Sequence, residues 1–192
     1  MNDVPGYAPL NQSDWHKWLT ENHLSATAVW LVFYKKGSQQ HNLSWAEAVE
    51  EALCFGWIDG RRKPLDAHSF IQFFSQRKAN STWSKINKLK VEELIVGQRM
   101  MPAGFRAIEQ ARANGSWNLL DDVEDMIVPN DLALAFAGHA GTLEYYNSLS
   151  NSAKKIILQW VKLCKTDQTR QQRIAEIVNS AKVGSLPAAL RR

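Results

Sequence analysis

The sequence predicts an α+β protein, mostly helical, with a small three-stranded, mainly antiparallel sheet, packed helices and an all-helical C-terminal part. Three observations carry this class. Residues 28–35 (AVWLVFYK) form a β-branched and aromatic run too short for a helix of that composition. Residues 57–64 and 69–75 read as two strands joined closely enough to be antiparallel. From Asn130 onwards the apolar residues recur only at helical spacing. With so few strands and an antiparallel pair among them, a doubly wound parallel sheet is not expected.

In chain order, residues 1–12 are rich in Pro, Gly and Asn and read as irregular. Ser13 is placed to cap a short helix with Asp14 near its positive end, and Trp15, Trp18 and Leu19 fall on one apolar face. The strand at 28–35 ends at Lys36-Gly37-Ser38, and a polar loop runs to Asn42. Ser44-Trp45-Ala46-Glu47 fits a capping box. Trp45, Ala48, Val49, Ala52 and Leu53 then form an inward stripe, Glu47, Glu50 and Glu51 take the other side, and Gly56 ends the helix. Two turns compete for the following hairpin. Asp59-Gly60 is a strong two-residue signal, but the Leu65-Asp66-Ala67 loop leaves strands of similar length and is preferred. Pro64 then sits at a strand end.

Residues 82–96 predict a helix stopped by Gly97, and Pro102 opens another with Phe105, Ile108 and Ala111 inward. Residues 116–129 form an acidic loop. Asn130 is expected to cap a helix over 131–137, and 139–148 adds a short one. Ala153, Ile156, Ile157, Trp160, Val161 and Cys164 share one buried face; Ile174, Ile177, Val178 and Ala181 share another, ended by Gly184 before a basic tail. The elements divide into an α+β region, 1–115, and a helical region, 116–192, expected to pack as one compact unit.

Composition excludes several classes. No apolar run approaches the ~20 residues of a membrane span, and the N-terminus has neither the basic nor the apolar region of a secretory signal. Cys54 and Cys164 then read as reduced, buried thiols, and the plain expectation is a cytoplasmic protein. Walker-type and G-x-G-x-x-G loops, a G-x-S-x-G elbow and paired Cys/His ligands are absent, so no cofactor or metal is implied. The five histidines (His16, His23, His41, His68, His139) are scattered.

Charge is the strongest signal. Residues 61–90 carry eight Lys and Arg against the single acid Asp66, a surplus of +7 in a chain whose net charge is +4. Such a local field concerns partners, not fold. In Trp57-Ile58-Asp59-Gly60-Arg61-Arg62-Lys63, Asp59 is a candidate general base or substrate orienter; shaping a turn and pairing with an arginine is the commoner role. From Phe74 to Lys88 a strand hands over to a helix amid hydroxyls, free amides and cations, a setting suited to an anion. Trp83 there is either a stacking surface or core, and Asn80 or Ser81 either an anion donor or a simple cap. Arg170 and Arg173 share a helical face that reads as solvated, and Cys54 as structural.

The motifs Glu50-Glu51-Ala52-Leu53-Cys54-Phe55-Gly56-Trp57-Ile58-Asp59-Gly60, Lys63-Pro64-Leu65-Asp66, Phe74-Ser75-x-Arg77-Lys78, Trp83-Ser84-Lys85-Ile86-Asn87-Lys88, Met101-Pro102-Ala103-Gly104 and Thr169-Arg170-x-x-Arg173-Ile174 resemble the YdeI/OmpD-associated family. Its members are often labelled bacteriocin-protection proteins. The resemblance spans nearly the whole chain, with Gln76 where the family has proline and Ala79 also departing. It implies a bacterial, soluble, mostly helical α+β protein in a stress or envelope context, and no particular reaction.

These readings converge on a binding or regulatory module for a phosphate-bearing small molecule or nucleic acid. Arg61, Arg62, Arg77, Lys78, Lys85 and Lys88 would supply the charge, Trp57 and Trp83 the aromatic surface and Asn87 a hydrogen bond. The alternatives are an enzyme using Asp59 beside the arginines on a small anionic substrate, and an adaptor steered to an acidic protein.

Overall fold

The computed structural model describes residues 4–35, 37–38 and 43–191. The expected strand end at Lys36 and the polar loop to Asn42, with His41, lie outside them. The chain folds as two compact units, Met1–Asn118 and Leu119–Arg192.

The first unit runs β1 (Gly6–Tyr7), α1 (Gln12–Asn22), β2 (Ala28–Tyr34), α2 (Trp45–Cys54), β3 (Trp57–Pro64), β4 (Ser69–Gln76), α3 (Lys85–Val96) and α4 (Pro102–Ala113). The sheet order is β1-β2-β4-β3, with β1 parallel to β2 and the other pairs antiparallel. Four strands replace the expected three, because β1 is a two-residue strand with no periodicity to read; its pairing follows the Trp30 amide, which donates to the Pro5 carbonyl at 2.9 Å.

β2 alternates strictly. Val29, Leu31 and Phe33 are buried, and Ala28, Trp30, Val32 and Tyr34 half-buried. The buried set packs with Phe74 of β4, Trp15 and Leu19 of α1, and Ala48, Val49, Ala52 and Leu53 of α2 into one core. The longer hairpin loop joins β3 and β4, where the Asp66 carboxylate accepts from the His68 and Ser69 amides at 2.7 Å each. Asp59-Gly60 instead opens an irregularity between Asp59 and Arg62, the strand-bending extra residue of a β-bulge.

α2 keeps its capping box, with Ser44 accepting from the Glu47 amide and Glu47 from the Ser44 amide. Two side chains depart from the expected stripe. Trp45 is exposed, and Glu51 is buried, where Gln12, His16 and Arg99 each reach its carboxylate at 2.7 Å. That constellation stabilises an acid on the apolar side because three polar partners replace its water. α1 is capped by Asn11, not Ser13, and α3, capped by Ser84, begins at Lys85, three residues after its expected start.

The second unit is helical: α5 (Asp121–Glu124), α6 (Asn130–Ala137), α7 (Thr142–Ser148), α8 (Asn151–Lys162), α9 (Asp167–Lys182) and a 3-10 turn at Ala188–Leu190. Leu132, Phe136, Tyr146, Ile157, Leu158, Val161, Ile174, Ile177 and Val178 join in its core. The acidic loop thus contains one short helix, Pro129 rather than Asn130 occupies the cap of α6, and Cys164 lies half-buried beyond the end of α8. Both cysteines are free thiols; burial pushes the Cys54 pKa up to about 12, so its thiol stays protonated at neutral pH. No described helix is long and apolar enough to cross a membrane.

Candidate functional site

The site is built where α2 ends. Gly56 follows the helix at φ +73°, a conformation that side chains with a Cβ rarely adopt. A Cβ there would stand 2.9 Å from the Ala103 carbonyl oxygen. Gly104 answers from α4, where an added Cβ would lie 2.3 Å from the Cys54 carbonyl oxygen. Two glycines thus let α4 approach the end of α2 backbone to backbone. The Met101 amide donates to the Cys54 carbonyl at 3.1 Å and the Arg77 amide to the Gly56 carbonyl at 2.9 Å, tying α4 and the end of β4 to this corner.

An open groove of about 600 Å³ lies there, lined from α1's end by His23, from the strands by Trp57, Gln76 and Arg77, and from α4 by Arg106 and Gln110, among others. Its polar walls are fixed. The Trp57 indole N–H and the Gln76 amide both donate to the His23 carbonyl, at 3.4 and 2.7 Å, and Gln76 also donates to Ala26 at 3.0 Å.

Arg77 is the singular group. Its guanidinium lies 3.5 Å above the centre of the buried Trp83 ring and donates through Nη1 to the Thr82 carbonyl at 3.1 Å. Its Nε and Nη2 are buried and have no hydrogen-bond partner among the described residues. Burial pulls its pKa down to about 9, against an opposing pull from Asp59, so it is a cation at neutral pH in a setting that disfavours charge. Arg106 adds a second, exposed cation, and Glu109 is the carboxylate in the lining.

Of the residues expected to bind ligand, the groove gathers Trp57 and Arg77, with Trp83 beneath the arginine. Trp83 is buried against Trp117, ring centroids 4.9 Å apart, so its place is under the cation. Arg61 and Arg62 part company at the β-bulge: Arg61 reaches Trp30 and Phe73, whereas Arg62 lies 3.4 Å over the Phe70 ring. Lys78 is exposed, with its amide donating to Ser81 Oγ at 3.0 Å. Lys85 and Asn87 sit in the first turn of α3, the Asn87 amide taken by Ser84 Oγ at 3.3 Å. Lys88 lies 5.5 Å from the centre of Trp117. Asp59 is outside the groove lining; its Oδ2 accepts from Trp45 Nε1 at 3.1 Å and Gln72 Nε2 at 3.3 Å. Among the described residues no cluster of His, Cys, Asp or Glu is placed to hold a metal ion.

Sequence reasoning missed His23, Arg106 and Gln110. The available signal on α4 was the i, i+4 pair of small residues Ala103 and Ala107 beside Gly104, with Gln110 one turn further along the same face.

Comparison with known proteins finds no matching curated protein and no matching solved structure. Residues 125–184 match the family described as bacteriocin-protection, YdeI or OmpD-associated. That match lies within the helical unit and takes in the 169–174 motif; the motifs between residues 50 and 104 lie instead in a segment matched by another model, over residues 7–107. Through that segment, more than half its length, the chain belongs to the family described as a domain of unknown function (DUF8412), and its C-terminal unit carries the YdeI/OmpD-associated segment.

Proposed function

We propose that this protein is a binding module whose N-terminal unit holds a small oxyanion, a phosphate or carboxylate group, in the groove of Arg77, Arg106 and Gln110. The observation that carries this is the buried Arg77 guanidinium with two nitrogens, Nε and Nη2, whose N–H donors have no partner among the described residues. A desolvated cation with unmet donors is costly on its own, and a bidentate oxyanion relieves both deficits at once. Trp83 and the Thr82 carbonyl fix the plane of the fork, and because Nε and Nη2 are buried a neighbouring group must move aside for an oxyanion in the groove to reach them. The open mouth suits a group carried on a larger molecule, with Arg106 and Gln110 meeting the part nearer solvent.

The test is thermal unfolding with inorganic phosphate, sulfate, citrate and a nucleoside monophosphate. A ligand at ~100 times its dissociation constant stabilises the native state by about 2.7 kcal/mol. Such stabilisation should persist when potassium chloride is raised, since the paired charges are buried, and should weaken in Arg106→Ala. Indifference to every anion on the panel would contradict an oxyanion site.

A further inference from the structure

A second surface lies on the other side of the sheet. All of the core contacts of β2 are made by Val29, Leu31 and Phe33; Trp30 and Val32 of β2, with Ile71 and Phe73 of β4, are half-buried and belong to neither core. Trp30 and Phe73 are directly opposite in register, ring centroids 5.1 Å apart at 66°. The neighbouring strand β3 sends two cations over this pair: Arg61 Cζ lies 5.4 Å from the Trp30 ring and 5.8 Å from Phe73, and Lys63 Nζ lies 5.0 Å from Trp30. Neither cation has an ion-pair partner among the described residues, and no Asp or Glu stands on β2 or β4.

The distances separate this face from the protein's closed cation–aromatic contacts. Arg77 on Trp83 and Arg62 on Phe70 stand 3.5 and 3.4 Å above the ring centre, a full stack that leaves no ring face on that side. At 5.0–5.8 Å from the ring centres, Arg61 and Lys63 sit over their rings less closely than those two stacks do. Flat rings on a rigid sheet, with unpaired cations beside them, match what single-stranded nucleic acid presents: base faces to stack and phosphates to neutralise. A duplex hides its base faces, and an acidic peptide would leave the rings unused.

We propose that the outer face of this sheet binds single-stranded nucleic acid, stacking bases on Trp30 and Phe73 while Arg61 and Lys63 pair with the flanking phosphates. This surface is independent of the groove, so either assignment stands without the other.

The test is fluorescence anisotropy of a labelled oligothymidylate and an oligouridylate with the full chain, across a range of potassium chloride. Binding should weaken with salt at a log–log slope of about −0.7 per phosphate neutralised, and an unlabelled duplex should compete poorly. Arg61→Glu with Lys63→Glu, both at exposed positions, should lower affinity at least ~10-fold and flatten the slope while leaving phosphate stabilisation of the groove intact. Trp30→Ala should weaken binding roughly 5- to 100-fold, with far-ultraviolet circular dichroism showing that the sheet is retained. Absence of binding at the lowest salt, or binding that neither the charge-reversed pair nor Trp30→Ala alters, would overturn the assignment.

Discussion

Arg77 holds a position that structural roles alone explain poorly. Stacking on Trp83 and one bond to Thr82 use part of its guanidinium, and Nε and Nη2 are buried with no hydrogen-bond partner among the described residues. A side chain kept for stability would give way to an apolar one of similar length with little loss, because removing an unsatisfied buried cation offsets the lost stack. Arg77→Met is therefore expected to abolish anion-induced stabilisation while the melting temperature without ligand stays level or rises. A melting temperature several degrees lower, with the anion response intact, would make Arg77 a structural residue. The sequence flagged Arg77 through its place in a basic segment, but not its distinction from Arg61, Arg62 or Lys78. That distinction rests on burial, which follows from Trp83 lying beneath it and from the chain turning back at Gly56.

Among the elements, the strands and helices with strong local chemistry were legible. The capping box of α2, the alternation of β2 and the β3–β4 pair all follow from adjacent residues. What escaped was set by distant partners. Glu51 reads as a solvent-face acid until α1 brings Gln12 and His16 to it, with Arg99 from beyond α3. The groove likewise depends on α4 meeting the end of α2, nearly fifty residues upstream. Gly104→Ala tests that junction. Its Cβ would meet the backbone at Cys54, which cannot swing aside as a flexible side chain would, so the change should destabilise the protein by about 3 kcal/mol. Chemical denaturation checks this, and a shift under ~0.5 kcal/mol, the range of neutral surface changes, would mean that the helices are free to separate. The same variant should lose the anion response, since Arg106 and Gln110 ride on α4.

For the whole molecule, each matched family segment falls within one of the two units, so the units can be probed by separate signals. In the C-terminal unit, Arg170 clasps the Asp131 carboxylate through Nε and Nη2 at 2.6 and 2.9 Å, holding that carboxyl below its ordinary range. A carboxyl whose folded pKa is depressed contributes stability above its unfolded value, roughly 3.9, and that contribution is lost as pH falls through the folded value. Acid titration of the helical signal should thus show a decline below about pH 4 that is shallower in Asp131→Asn, which would also be less stable at neutral pH. An unchanged acid profile would remove this pair as a determinant. In the N-terminal unit the surplus charge of residues 61–90 is spread by the fold over separate surfaces. Strand alternation, a bulge and one buried turn decide which cation faces what. The proposed oxyanion site is best probed by nuclear magnetic resonance of the arginine Nε–H signals during titration with inorganic phosphate. The Arg77 signal should shift in a saturable way that Arg106→Ala weakens, because its Nε–H gains the acceptor it lacks. A stationary Arg77 signal while other arginines respond would rule out an oxyanion at that fork.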